Sequence, residues 1–344
     1  MSVSPAHYPF QADWAGRRVL LAEVAPGFYK QAAFLDQRAF TEQPKSQWVD
    51  LETIRAVFGA SEAQSPRALG LIFHMGHCGS TLISRLFGEL NGVLSLREPL
   101  PLRDLAAAWS TRDAIWALRN RDQMTADWSL FRAMWARTWM PGDLSIVKAT
   151  SFCDLLAANW LSAFPSDRAL FIHVSPQSYL RSIFVHDGYV ADIYGSAEAR
   201  LSPHIAAFAD DVPAFHALSE GERMAVAYVC SALNQAAALD VAGDRAGQLD
   251  FDAYLADPSG RLLRAAGSFG LPTEADEVER VLSGPVPRLY SKATDYQFGP
   301  ADREARLKEA DARRGDDIKA GLGWIDRIRA ARPDIDAAIA RLGY

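Results

Sequence analysis

One short segment of this 344-residue chain gathers the residue types that hold an anion: Gly70–Arg85, GLIFHMGHCGSTLISR. Gly76 and Gly79 bracket a tight turn, His77 and Cys78 lie between them, and Ser80 and Thr81 open an amphipathic stretch with Leu82, Ile83, Leu86 and Phe87. A strand, a glycine turn, a hydroxyl pair and a helix together aim backbone N–H groups at a phosphate or sulfate. A triphosphate loop needs glycine, four residues, then Gly-Lys-Ser/Thr. Setting Gly79 and Thr81 on that pattern puts His74 at the first glycine and Ser80 at the lysine. Both requirements fail. The lysine normally spans the outer two phosphates, so its loss suits a smaller anion.

Two further side chains are placed to do chemistry. Glu98 follows the apolar run Val93–Leu96, where an open α/β sheet forms its ligand crevice, and reads as a general base. Arg97 beside it is expected to orient Glu98 or to bind an acidic acceptor. Lys148 ends another apolar run, Leu144–Val147, and is expected to set a fixed positive charge over a transferred group. Its plainer reading is a surface pair with Asp154. Cys78 reads as a small residue that permits close approach of backbone rather than as a nucleophile. His74 and His173 read as buried, satisfied histidines. Asp250 and Asp252 read as strand-end hydrogen-bonding groups, and His186 and Asp187 as a weak candidate wall of an acceptor pocket.

These side chains need elements to hold them. Short apolar runs at Leu69–Phe73, Val93–Leu96, Leu144–Val147, Ala169–Val174 and Gln248–Phe251 read as buried strands. Helical patterns separate them at Leu102–Arg121, Ala126–Thr138, Phe152–Phe164, Gln177–Val185 and Glu220–Leu239. The alternation predicts an α/β fold: a three-layer α/β/α sandwich, built like the P-loop NTPases around a parallel sheet of about five strands. Residues 1–65 read as a lead-in packing on that core, with a strand at Arg18–Val24 and helical patches at Gly27–Ala39 and Leu51–Phe58. Residues 66–344 read as one domain with helical acceptor-site insertions and C-terminal helices. Trp128, Trp135 and Trp139 recur at helical spacing and read as core. The mixed charges of residues 302–319, DREARLKEADARRGDDIK, read as a solvated helix.

Composition narrows the class. A net charge of −6 gives no nucleic-acid surface. The three cysteines, Cys78, Cys153 and Cys230, have neither metal-site nor disulfide spacing. With no signal-like N-terminus and no bilayer-length apolar run, the expectation is a cytoplasmic chain without a membrane span. No metal site is expected, and oligomeric state is left open.

On these residues the chain resembles the sulfotransferases that use 3′-phosphoadenylyl sulfate, as a divergent bacterial-type member. HMGHCGSTL resembles their 5′-phosphosulfate loop, with His77 at the basic position. VLSLREP (Val93–Pro99) resembles the second strand ending in Glu-Pro, and IVKATS (Ile146–Ser151) the end of the third. FPSDRALFIHVSPQSYLRS (Phe164–Ser182) resembles the stretch that holds the 3′-phosphate. LDFDAYLADPSGRLLRAAGSFGLP (Leu249–Pro272) resembles the last strand and its helix. The likeness spans roughly residues 68–290.

The resemblance implies sulfuryl transfer to a hydroxyl or amine acceptor. It assigns catalysis to His77, Glu98 and Lys148. It assigns donor binding to Gly76, His77, Cys78, Gly79, Ser80 and Thr81. Val174 stands where the family has an arginine for the 3′-phosphate, so Arg181, Ser182, Tyr290 and Lys292 are the expected anchors there. The donor is then 3′-phosphoadenylyl sulfate or an adenylate lacking the 3′-phosphate. Two other readings stay open: a P-loop small-molecule kinase, and a sulfotransferase-like binding protein without chemistry. The acceptor is not legible, although the stretches Leu102–Thr138 and Tyr189–Asp211 are expected to build its pocket.

Overall fold

The computed structural model describes residues 4–40, 43–64, 67–204, 208, 214–291 and 296–344. Its centre is a five-stranded, wholly parallel sheet built from β4 (Leu69–His74), β5 (Val93–Arg97), β6 (Leu144–Lys148), β7 (Arg168–His173) and β8 (Ala246–Asp250), in the order β5-β6-β4-β7-β8. The three lead-in strands are β1 (His7–Asp13), β2 (Arg18–Glu23) and β3 (Ser46–Asp50), paired antiparallel as a separate sheet. All six residues of β4 are buried. A strand buried along its whole length has helices against both faces, which is why it reads as a continuous apolar run. The α/β reading with about five central strands is thus borne out.

Helix Ser80–Phe87 returns over the sheet and meets the helix Pro258–Ser268 region through Phe87 and Phe269, their rings 5.3 Å apart. Trp128 and Trp135 are core residues, as their spacing implied, and Trp109, Trp128 and Trp160 form a chain of ring contacts at 4.6 and 5.9 Å. The 26-residue span Glu220–Arg245, which contains the helix Glu220–Ala242, is apolar enough to cross a bilayer by length and composition, but 72% of its apolar window is buried inside the protein. It packs as the core helix, against Ala157–Ala163 and Pro300–Ala331.

Several elements differ from their sequence reading. The helix expected over Leu102–Arg121 runs only from Leu100 to Ser110; a new helix begins at Arg121 because Asn120 and Gln123 form a capping box there. Phe152–Phe164 splits into a 3-10 turn, Ser151–Leu156, and a short α-helix. The patch Gly27–Ala39 is one helical turn, Phe28–Gln31, and a 3-10 turn, Gln37–Ala39.

Arg97 requires a correction. It orients no carboxylate and faces no acceptor. Its side chain is 1% exposed and reaches the lead-in, donating to the Ala32 and Tyr29 carbonyl oxygens and to Ser95 Oγ. The pleat is the reason, since successive strand residues point to opposite faces. Burial lowers the Arg97 guanidinium pKa to about 9.

At the other end of the sheet, fully buried Asp167 accepts from Leu69 N (3.0 Å), Trp160 Nε1 (3.0 Å) and Arg132 (2.7 Å). It pins the start of β4. The C-terminal strand ends are left to carry the site: Arg97 and Ile72 both pair with Lys148, which brings the ends of β5, β6 and β4 to one edge.

Candidate active site

The turn after β4 has the geometry its glycines predict. Gly76, His77 and Gly79 all take left-handed backbone angles, with φ of +95°, +50° and +73°. Successive N–H groups in such a turn converge on one concavity, and helix Ser80–Phe87 adds its first N–H groups to it. His74 fixes the turn from below. Its Nδ1 accepts from Gly76 N at 3.0 Å, so its Nε2 carries the proton donated to the Ala149 carbonyl oxygen at 3.0 Å. The satisfied-histidine reading therefore suits His74, which also holds the loop and borders the cleft.

Gly79 is irreplaceable for a second reason. A Cβ there would lie 2.0 Å from the Phe251 ring. Cys78 sits beneath the turn, fully buried, with burial raising its thiol pKa to about 11; it is a packing residue. His77, left-handed despite being no glycine, lays its ring on Tyr189 at 3.9 Å between centroids. Tyr189 in turn shares a 3.0 Å hydrogen bond with the Tyr290 hydroxyl.

Glu98 also has a positive φ, +55°, which swings it off the end of β5 toward β6. Its N–H donates to the Lys148 carbonyl oxygen at 2.7 Å, while its Oε1 takes the Lys148 ammonium and its Oε2 accepts from Thr150 Oγ1 at 3.3 Å. Lys148 is 1% exposed. The surface pair with Asp154 is replaced by this buried pair with Glu98, because Lys148 lies on a central strand and Asp154 turns into the core. Each carboxylate oxygen has a second lone-pair direction, so Glu98 keeps acceptor capacity on the cleft side.

A cleft of about 1110 Å³ is lined by Gly76, His77, Gly79, Ser80, Thr81, Glu98, Lys148, Ser182 and Tyr290. Nine of the expected site residues therefore share one cavity. Others do not. Arg181 is bidentate to Asp311 of the long helix Pro300–Ala331, at 2.6 and 2.9 Å, and does not line the cleft; the helix neighbour Ser182 faces it instead. His186 and Asp187 also fall outside the lining: His186 caps its helix by accepting from Gly188 N, and Asp187 points to solvent. Lys292 lies outside the described residues. Of the expected acceptor-pocket stretches, Arg103, Ala107 and Ser110 of helix Leu100–Ser110 line the cleft, as do Tyr189, Asp192, Ile193 and Ser196. Of residues 205–211 only Phe208 is described.

The solvated-helix reading of residues 302–319 is corrected at its beginning. Arg303 and Arg306, three residues apart on one helix face, line the cleft. Arg303 pairs with Asp252 at 2.9 Å and lies over Phe251; Arg306 lies 5.4 Å from the Tyr290 ring and 4.9 Å from Phe298. Their spacing was visible, but nothing in a run of alternating charges marked which two of its arginines face inward. Among the described residues no group of three or more His, Cys, Asp or Glu is placed to hold a metal ion.

Behind the cleft lies a second polar cluster. Asp154 is fully buried, and Asn234 Nδ2 donates to its Oδ1 at 3.0 Å. Burial raises the Asp154 carboxyl pKa to about 7, against the pull of Arg200 and the hydrogen bond from Asn234. The folded chain then holds a proton that the unfolded chain releases from pH 3.8 upward. This group's contribution to stability is complete below that pH and is lost as the pH rises through about 7. Urea midpoints at about pH 5 and about pH 8 are expected to differ less in Asp154→Asn than in the parent chain. An unchanged difference would show that Asp154 is already ionised in the fold.

The fold and site define an α/β protein with a left-handed, glycine-bearing turn that opens a helix at the carboxyl edge of its parallel sheet. No family model matches the chain, and no curated protein matches it. Solved structures do. The sulfotransferase domain from the curacin biosynthetic pathway is similar at 13% identity and a TM-score of 0.42, over 72% of this chain and 90% of that one. The sulfotransferase domain of the Synechococcus PCC 7002 olefin synthase is similar at 14% and 0.39, over 75% and 94%. A sulfotransferase from Alicyclobacillus acidocaldarius is similar at 15% and 0.36, over 72% and 94%.

Proposed function

We propose that this chain is a sulfotransferase that moves a sulfuryl group from 3′-phosphoadenylyl sulfate to a hydroxyl or amine acceptor. The observation that carries the reading is the Glu98–Lys148 pair set at the lip of an anion turn that has serine, not lysine, at residue 80. A kinase on this turn lacks the cation that spans the outer phosphates, so Ser80 favours the smaller transferred group.

In this scheme the turn from Gly76 to Thr81 binds the 5′-phosphate. The acceptor oxygen or nitrogen attacks sulfur in line with the departing phosphate oxygen. The bond from sulfur to that bridging oxygen breaks, and the acceptor's proton passes to Glu98. Lys148 offsets negative charge on the transferred group, and a protonated His77 donates to the leaving oxygen. Preorganised donors of this kind carry most of the barrier reduction in such transfers.

The arginine missing at residue 174 is replaced from the C-terminal side in this reading. Val174 is fully buried, while Arg303 and Arg306 enter the cleft near Ser182 and Tyr290 and take the donor's 3′-phosphate. Calorimetry with adenosine 3′,5′-bisphosphate tests both ideas. The parent chain is expected to bind it, and Arg303→Ala with Arg306→Ala to weaken binding about 10²-fold while binding of adenosine 5′-phosphate changes little. Absence of heat from the parent chain at millimolar nucleotide would remove the donor assignment. Equal weakening for both nucleotides would move the two arginines away from the 3′ position.

A further inference from the structure

Resting on the sulfotransferase reading for the identity of its ligand, we infer that Ser151 is an anion-binding hydroxyl of this site, and that Arg200 is the positioning residue that turns its proton into the cleft. Neither residue is needed for the transfer scheme above. Both line the cleft. Ser151 borders the anion turn: its Oγ lies 3.5 Å from the point a Cβ on Gly76 would occupy.

The argument is one of donors and acceptors. Arg200 is 3% exposed. Its Nη2 donates to Ser151 Oγ at 2.6 Å, and its Nε donates to Ser196 Oγ at 2.9 Å. A guanidinium has no acceptor atom, so both serine oxygens must accept and both hydroxyl protons must go elsewhere. Ser196 gives its proton to the Asp192 carbonyl oxygen at 2.7 Å. Ser151 has no such acceptor among the described residues, and it stands on the cleft wall beside Gly76. Its proton is left for whatever the cleft holds. A hydroxyl that accepts from a buried cation is polarised into a better donor, and an anion is the partner that gains most from it.

The rest of the cluster acts on Arg200 through charge. Ser151 and Asp154 are one 3-10 turn apart, which stacks them on the same face of the Ser151–Leu156 element. Asp154 Oδ2 and Arg200 Nη1 are both buried and without a hydrogen-bond partner, and the Arg200 charge acts on the Asp154 carboxyl. Asp154 is tied on its other oxygen to Asn234, whose Oδ1 meets His204 Nε2 at 3.0 Å. From the helix Glu220–Ala242 side Arg200 thus meets a charge interaction, while its hydrogen bonds go to Ser196 and Ser151.

The test is calorimetric, with two probes: inorganic pyrophosphate and adenosine 3′,5′-bisphosphate. Ser151→Ala is expected to raise Kd for both by about tenfold or more, and Ser151→Thr, which keeps the hydroxyl, to restore it. Arg200→Gln is expected to cost a similar factor, and the double variant Ser151→Ala with Arg200→Gln no more than either alone, since both act through one proton. Parent-like affinity of Ser151→Ala overturns the inference even if Arg200→Gln fails to fold. A parent chain that binds pyrophosphate but not the nucleotide overturns the sulfotransferase reading and leaves the Ser151 comparison intact. Binding of neither probe overturns both.

Discussion

Glu98→Gln is expected to lower turnover about 10²–10⁴-fold with little change in nucleotide affinity. Turnover is read as release of adenosine 3′,5′-bisphosphate from 3′-phosphoadenylyl sulfate in the presence of phenol, alcohol and amine acceptors. The amide keeps the shape of the carboxylate and its hydrogen bond from Thr150, but it no longer takes a proton from the acceptor. The positive φ of Glu98 sharpens the expectation. A side chain other than glycine at that angle is held against its own preference, and such positions gather where geometry serves a site. A structural role for Glu98 alone predicts loss of stability with turnover per folded molecule preserved; that outcome would sink its assignment as the base. A binding protein without chemistry also predicts that glutamine is tolerated, so this variant separates the two readings directly.

Gly79→Ala is expected to weaken binding of adenosine 3′,5′-bisphosphate by about 10²-fold or more, because it disturbs several N–H donors at once. Two independent penalties act there. The left-handed angle alone costs an alanine about 1–2 kcal/mol. The new methyl group would also lie 2.0 Å from the ring of Phe251, which is 6% exposed and packed on Tyr254 at 5.5 Å, so either the turn or the ring must shift. A displaced ring would move into the cleft that it lines, and a displaced turn would carry the helix it opens. The double variant Gly79→Ala with Phe251→Ala removes the clash and keeps the angle. Its partial recovery of binding would separate the two penalties, and no recovery would show that the angle alone governs the turn.

The parts of this fold that were legible in the sequence are those whose surroundings are uniform. The strand Leu69–His74 is buried on both sides and so needs only apolar residues. The turn after it needs φ > 0, which two glycines announce. β3 (Ser46–Asp50) was missed because its residues are at most half-buried, and a weakly covered strand carries no apolar signature. Direction was harder than location. Arg97 and Glu98 are adjacent, and only the end of the pleat decides that one faces the lead-in and the other the cleft. Arg181 and Ser182 differ in the same way on a helix. Arg303 and Arg306 were hidden for another reason. Most of their neighbours meet solvent, and the contact that turns the first helical turn inward comes from Asp252 and Tyr290, distant in the chain.

Arg97 has a consequence for how the protein comes apart. Its guanidinium is the only charged group bridging the carbonyl oxygens of Tyr29 and Ala32 to the parallel sheet among the described residues, and Leu35 N returns a hydrogen bond to its backbone at 2.8 Å. If the lead-in peeled away, the guanidinium and these carbonyl oxygens would exchange charge-assisted hydrogen bonds for water, a net cost of about 1.5–3 kcal/mol per bond. Partial opening at this seam is therefore costly. The lead-in and the sheet are expected to melt as one cooperative unit.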